Sequence, residues 1–274
     1  MLTDGAVVVE SKTVVAHVAD ELARRVVSGA KQPGELMPSV RQIAEEFGIN
    51  RSTAQLVLGR LESHGFVVAQ RARGFVIRDI RRDGGVEVYR QMFRLSMQMP
   101  ETAITVFHDI VDVERSIVMD ALLVYTNCPD KQDARGVNTA IEALDTLARS
   151  DDPDREAMLE IELAIIGRIL DAVGQTFHRA ILNSIGEMVL GVPEAVAAYY
   201  AVAPDLHVLV WRGLAAVWDS GGAPSEAQSA LLDDLFSIYH ERVMTRFEEL
   251  VGAVGETAPV SGSTSTRTAN TASA

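Results

Sequence analysis

The 274-residue sequence contains a single cysteine, Cys128. That excludes an intramolecular disulfide framework and any cysteine-based zinc cluster. It has no apolar run of the roughly 18 residues that a membrane span requires. The opening stretch, MLTDGAVVVESK, carries an acid where a secretory signal would be basic, and its apolar part is confined to Ala6–Val9. A cytoplasmic protein with no membrane partner is therefore the expectation. The chain also lacks a G-x-S-x-G elbow, a P-loop, a G-x-G-x-x-G turn and an H-E-x-x-H pair, so no enzyme is expected. Positive charge is scarce: 25 Lys and Arg stand against 38 Asp and Glu, a net charge of −13. Taken whole, that balance argues against nucleic acid, because binding DNA requires phosphates to be neutralised by Lys and Arg.

The charge is unevenly spread. Residues 1–82 hold twelve Lys and Arg against nine Asp and Glu, a net of +3. Residues 83–274 hold thirteen against 29, a net of −16. Asymmetry of this size points to segments with different partners. Asp83-Gly84-Gly85 lies at the switch and reads as a hinge. The expected division is a flexible N-terminus over 1–13, a head over 14–82, a body over 83–251 and a disordered Ser/Thr/Ala/Gly-rich tail over 252–274.

Within the head, Val15, Val18, Leu22 and Val26 recur at helical spacing over Val14–Ser28, and Gly29 is a natural stop. Ser39-Val40-Arg41-Gln42 fits a capping box opening a short helix that runs to about Phe47. Gly48-Ile49-Asn50 is a tight turn, with Asn50 the N-cap of a third helix over roughly Arg51–His64. Phe66–Gln70 and Phe75–Ile80, joined by Arg71-Ala72-Arg73-Gly74, read as a β-hairpin. This order is that of a winged helix-turn-helix. In the body, Val86–Gln98, Ala103–Asn127, Arg135–Ser150, Glu156–Ala172, Gln175–Tyr200, Pro204–Asp219 and Ser225–Val251 all read as helices. Short connections rich in Gly and Pro predict an antiparallel bundle of about seven helices. The fold class is mainly α.

The stretch P-G-E-L-M-P-S-V-R-Q-I-A-E-E-F-G-I-N-R-S-T-A-Q-L-V-L-G-R-L-E-S-H-G-F-V, followed by R-A-R-G-F-V, resembles the DNA-binding domain of the GntR family of transcriptional regulators. Glu162 to Ile169 and Ala172-Val173-Gly174-Gln175 are similar to a helical segment of the family's FadR-type branch. The resemblance implies a homodimer that binds a palindromic DNA operator and responds to a small molecule in the helical domain.

In a helix-turn-helix the second helix presents its N-terminal residues to the major groove. That places Asn50, Arg51, Ser52, Thr53 and Gln55 at the bases. The resemblance adds Arg41 near the backbone and the wing-tip Arg71 and Arg73 at the minor groove; Gln55 stands where the family commonly has Arg. Branch members that hold a metal use an Asp and three His. Here Glu162 takes the Asp position, Ile166 and Trp211 fall at two His positions, and only His240 stays in register, so neither metal nor cofactor is expected. His108, His178 and His207 lie off these positions. Apolar replacement resembles the fatty-acid-responsive members, which implies a fatty acid or acyl-CoA as effector. The expected effector residues are Arg115, Arg168, Phe177, Ile181, Trp211 and His240, with Arg212 and Arg242 as further polar candidates. Two alternatives remain: a different small organic acid as effector, or a ligand-binding protein whose winged helix makes protein contacts only.

Overall fold

The computed structural model describes residues 4–128, 133–219 and 225–257. The described residues form twelve helices and one two-stranded sheet, a winged helix-turn-helix followed by a helical domain.

In the head, α1 (Asp4–Val27), α2 (Val40–Phe47) and α3 (Arg51–Ser63) precede strands β1 (Val67–Gln70) and β2 (Gly74–Ile77). Helix α1 begins ten residues upstream of the expected Val14, since no proline interrupts that stretch. Its apolar face, Val15, Val18, Leu22 and Val26, is buried as the spacing predicts. The capping box of α2 forms in full: the Gln42 amide N–H donates to Ser39 Oγ and the Ser39 N–H donates to Gln42 Oε1. Gly48 then adopts φ +63, a left-handed turn that costs little without a Cβ. It aims α3 across α2. Ala54, Val57, Leu58 and Leu61 anchor α3 in the core. The strands pair antiparallel, Val67 opposite Ile77 and Gln70 opposite Gly74, and Leu36 bridges to Val76.

A short helix α4 (Ile80–Asp83) occupies the expected boundary, and Gly84-Gly85 leads into α5 (Val86–Ser96). The body continues through α6 (Pro100–Asn127), α7 (Ala134–Ala148), α8 (Arg155–Ala172), α9 (Thr176–Leu190), α10 (Pro193–Tyr199), α11 (Pro204–Asp219) and α12 (Glu226–Thr257). The helix expected over Gln175–Tyr200 is thus two, bent by 109°. Pro193 lacks an N–H and drives Val192 into an extended conformation, which stops α9. Helix α12 runs past the expected tail start at Gly252; residues 258–274 and 1–3 lie outside the described residues. Among the described residues no single helix is long and apolar enough to cross a membrane.

The body core centres on Phe107 of α6, stacked on Phe247 of α12 with centroids 3.9 Å apart and meeting Phe93 of α5 and Tyr199 of α10. Helix α5 packs on α1 of the head and on α6 and α9 of the body. Arg94 of α5 grips Asp20 of α1 with two hydrogen bonds of 2.8 and 2.7 Å, and Arg90 pairs with Glu187 of α9. One helix therefore touches both halves.

Candidate nucleic-acid interface and effector cavity

The start of α3 is organised by Asn50. Its Oδ1 accepts from the Thr53 N–H at 2.7 Å and from Ser52 Oγ at 2.6 Å. This oxygen is committed to the helix start, so Asn50 sets where its neighbours point. Arg51, Ser52 and Gln55 are exposed and Thr53 is half-buried, opposite the core-facing Ala54 and Val57. Arg41 is exposed on α2, 3.8 Å from Glu45, a solvated pair of little strength that leaves the guanidinium available. At the wing tip Ala72 takes φ +64 and the Arg73 N–H donates to the Gln70 carbonyl, leaving the exposed side chains of Arg71 and Arg73 at the turn. Lys31, Arg41 and Arg73 line one cleft between α2 and the wing, whose lining holds no carboxylate. Arg41 and Arg73, far apart in sequence, thus form one cationic surface, while Arg51 leads the neighbouring helix.

The body holds a cavity of about 430 Å³, walled by α6, α8, α9, α10, α11 and α12 and open to solvent along α11 and α12, where Leu209 and Ile238 are exposed. Most of its lining is aliphatic: Val118, Leu159, Leu163, Ile166, Ile185, Val189, Leu214 and others. The polar side chains gather around two carboxylates. Glu162 accepts from Tyr200 Oη at 2.7 Å and Trp211 Nε1 at 3.1 Å, and His207 Nδ1 lies 3.1 and 3.2 Å from its two oxygens. Burial alone would push the Glu162 carboxyl up, but the hydrogen bonds and charge of His207, with the Tyr200 and Trp211 donors, outweigh it and hold the group below the ordinary glutamate value. Glu114 lies 3.1 Å from His240 Nε2 and 3.5 Å from Tyr199 Oη. His240 Nδ1 is 2.7 Å from the Phe236 carbonyl, which only accepts, so that nitrogen carries a proton. Burial first, and the neighbouring Glu114 second, keep the Tyr199 phenol well above its ordinary value. Tyr239, buried beside both carboxylates, is raised in the same way and donates to the Tyr199 carbonyl at 3.0 Å. Among the described residues no group of three or more His, Cys, Asp or Glu is placed to hold a metal ion.

Of the expected effector residues, Trp211 and His240 line the cavity, as does Arg242. The others point elsewhere. Arg115 donates to Ser237 at 2.6 Å and faces Asp233 on the outer side of α12, one helical step from the inward Glu114. Arg168 pairs with Asp133 and Arg212 with Asp145, both at 2.8 Å, on the α7 side of the bundle. Phe177 is 75% exposed and Ile181 packs in the core outside the lining, because α9 reaches the cavity only through its second half, at Ile185, Gly186 and Val189. Sequence reasoning missed Glu114 and His207. The signal for His207 was its position one turn before Trp211, which puts both side chains on the face that meets Glu162.

Residues 14–77 match the profile of the bacterial regulatory proteins of the gntR family. This segment is a GntR-family DNA-binding domain. The chain is similar to the transcriptional regulator Mce2R of Mycobacterium tuberculosis (strain CDC 1551 / Oshkosh), 24% identical over 176 residues that cover 64% of this chain and 70% of the relative. It is also similar to the fatty acid metabolism regulator protein of Yersinia pestis (strain Pestoides F), 23% identical over 209 residues, 74% of this chain and 78% of the relative. Among solved structures, E. coli McbR/YncC overlaps 89% of this chain and 97% of its own at 13% identity and a TM-score of 0.37, too loose to argue from. The head thus carries a DNA-binding domain of the gntR type, and the Mycobacterium and Yersinia relatives are transcriptional or metabolic regulators.

Proposed function

We propose that this regulator grips its operator with the head, residues 14–82, and tunes that grip with a small molecule held in the body, residues 83–251. Arg51, Ser52, Thr53 and Gln55 face the major groove from α3, Asn50 holds them in place, and Arg41, Arg71 and Arg73 bracket the duplex from α2 and the wing. Arg reads guanine and Gln reads adenine through paired hydrogen bonds. A homodimer on a palindromic operator sets two α3 helices about one duplex turn apart, roughly 34–36 Å. A fatty acyl chain is the first candidate effector, supported by the aliphatic lining and by the fatty acid metabolism regulator among the relatives.

The observation that carries this reading is the aliphatic cavity walled in part by α9, whose outer side meets α5, the helix bridged to the head through Arg94–Asp20. Filling the cavity biases α9, hence α5, hence the placement of the heads. Operator affinity and ligand affinity are then linked by one coupling free energy. Fluorescence anisotropy on an operator selected from random duplexes tests it. Binding should weaken steeply with salt and change by the same factor with effector as effector affinity changes with operator. Absence of salt-dependent, sequence-selective binding under every ligand condition refutes the DNA part. Equal operator affinity with the cavity filled and empty refutes the coupling.

A further inference from the structure

The inference concerns the mouth of the body cavity and rests on the reading of that cavity as the effector site. Charge of opposite sign lies at the two ends of its lining. Both carboxylates, Glu114 and Glu162, are withdrawn from solvent, and each is committed to a histidine: Glu114 to His240 Nε2 and Glu162 to His207 Nδ1. The other nitrogen of His207, Nε2, makes no hydrogen bond and has essentially no accessible surface, so no ligand atom reaches it. The inner end therefore offers an incoming group two carboxylates and no uncommitted cation. The mouth is the reverse. Leu209, Leu235 and Ile238 line it with exposed apolar surface, and Arg242, one turn beyond Ile238 on the same face of α12, is exposed there. Arg242 is the one Lys or Arg of the lining, and among the described residues its guanidinium has no hydrogen bond or ion pair. Arg115, Arg168 and Arg212, by contrast, are tied to Asp233, Asp133 and Asp145.

We propose that the cavity takes a free aliphatic monocarboxylate tail first: the hydrocarbon fills the apolar interior, and the carboxylate stays at the mouth against Arg242. Head-first entry would bury a third carboxylate beside Glu114 and Glu162 with no cation to match it. At the mouth the same group keeps water on one side and meets a guanidinium whose planar fork fits both its oxygens. A coenzyme A thioester fits less well. It brings several phosphates where the lining supplies one guanidinium, and residues 83–274 carry a net charge of −16, which repels a polyanion. An uncharged amphiphile enters the same way but leaves Arg242 unpaired. Arg242 thus selects the head group, and the two buried carboxylates fix which end goes in.

Calorimetric titration of the full-length protein with decanoate, 1-decanol, decanedioate and decanoyl-CoA near pH 7 tests this. Decanoate should bind about three- to fivefold more tightly than decanol, the scale of one exposed ion pair, and high salt should remove the difference. Decanedioate has to bury its second carboxylate and should bind at least about a hundredfold more weakly than decanoate. Arg242→Gln, at an exposed position, should bring decanoate level with decanol, and Arg242→Lys should keep part of the preference. Trp211 lines the cavity beside Glu162 and Trp218 does not, so 10-bromodecanoate should quench tryptophan fluorescence of the unmodified protein more than 2-bromodecanoate. Decanedioate binding as tightly as decanoate, or stronger quenching from the 2-bromo acid, overturns the orientation. Decanol or decanoyl-CoA binding as tightly as decanoate, or decanoate affinity unchanged in Arg242→Gln, overturns the head-group assignment. Either result leaves the cavity as effector site. Failure of every probe to bind overturns the cavity reading and this inference with it.

Discussion

Tyr200→Phe removes one oxygen from the body and leaves its ring stacked on His207. In the native protein that hydroxyl donates to Glu162 Oε1 at 2.7 Å, in a buried network whose other donors are Trp211 and His207. A hydrogen bond to a buried charged group contributes about 1.5–3 kcal/mol, against about 0.5–1.5 kcal/mol for a neutral pair. The loss near pH 7 should therefore be about 2 kcal/mol, because the remaining donors cannot reach both oxygens equally well. The pH dependence follows from Glu162. Its folded value lies below the ordinary 4.5, so its contribution is fully present above that value and is lost as pH falls through the folded value. Wild-type stability should drop in that acid window. The penalty of Tyr200→Phe should shrink there to that of a neutral hydrogen bond. Both tryptophans, Trp211 and Trp218, lie in the body, so urea unfolding followed by tryptophan fluorescence reports on this half. A loss under about 0.5 kcal/mol near neutral pH, or an equal loss on both sides of pH 4.5, would refute the account of the network.

Four other substitutions separate positioning from contact. Asn50→Ala should cost about 1 kcal/mol of head stability by removing the N-cap, whereas Arg51→Ala should leave stability unchanged and weaken operator binding by about 1–3 kcal/mol if that side chain reads a base; paired unfolding and anisotropy measurements distinguish the two. Phe177→Ser should change neither stability beyond about 0.5 kcal/mol nor effector affinity, checked by thermal melting and calorimetry, since that ring projects into solvent. Gly65→Ala should destabilise the head by at least about 1 kcal/mol: φ is +85 and a Cβ would stand 2.7 Å from Val88 of α5. Differential scanning calorimetry reads the effect, and an unchanged melting profile would contradict it.

The head was legible residue by residue. Capping box, N-cap, left-handed Gly48 and the hairpin are local devices, each specified by neighbours within a few positions, so the sequence shows them directly. The helical character of the body was legible for the same reason, since amphipathic spacing and Gly/Pro breaks act within one element. The split of α9 from α10 was equally local, written in Pro193, yet the expected helix ran straight through it.

Which arginines face a cavity is another kind of question. Arg115 and Glu114 are adjacent in sequence, yet helical geometry sends one to the outer face of α12 and the other to the buried His240. No periodicity says which. Likewise Glu162, Tyr200, His207 and Trp211 converge from α8, the cap that ends α10, and α11, and Lys31, Arg41 and Arg73 from three separate segments. The sequence by itself determined the elements, their order and the basic head on an acidic body. The tertiary structure decided the partners: hydrogen bonds and burial between helices depend on how faces meet in space, and that meeting made His207 a paired nitrogen on one side and an unpaired one on the other.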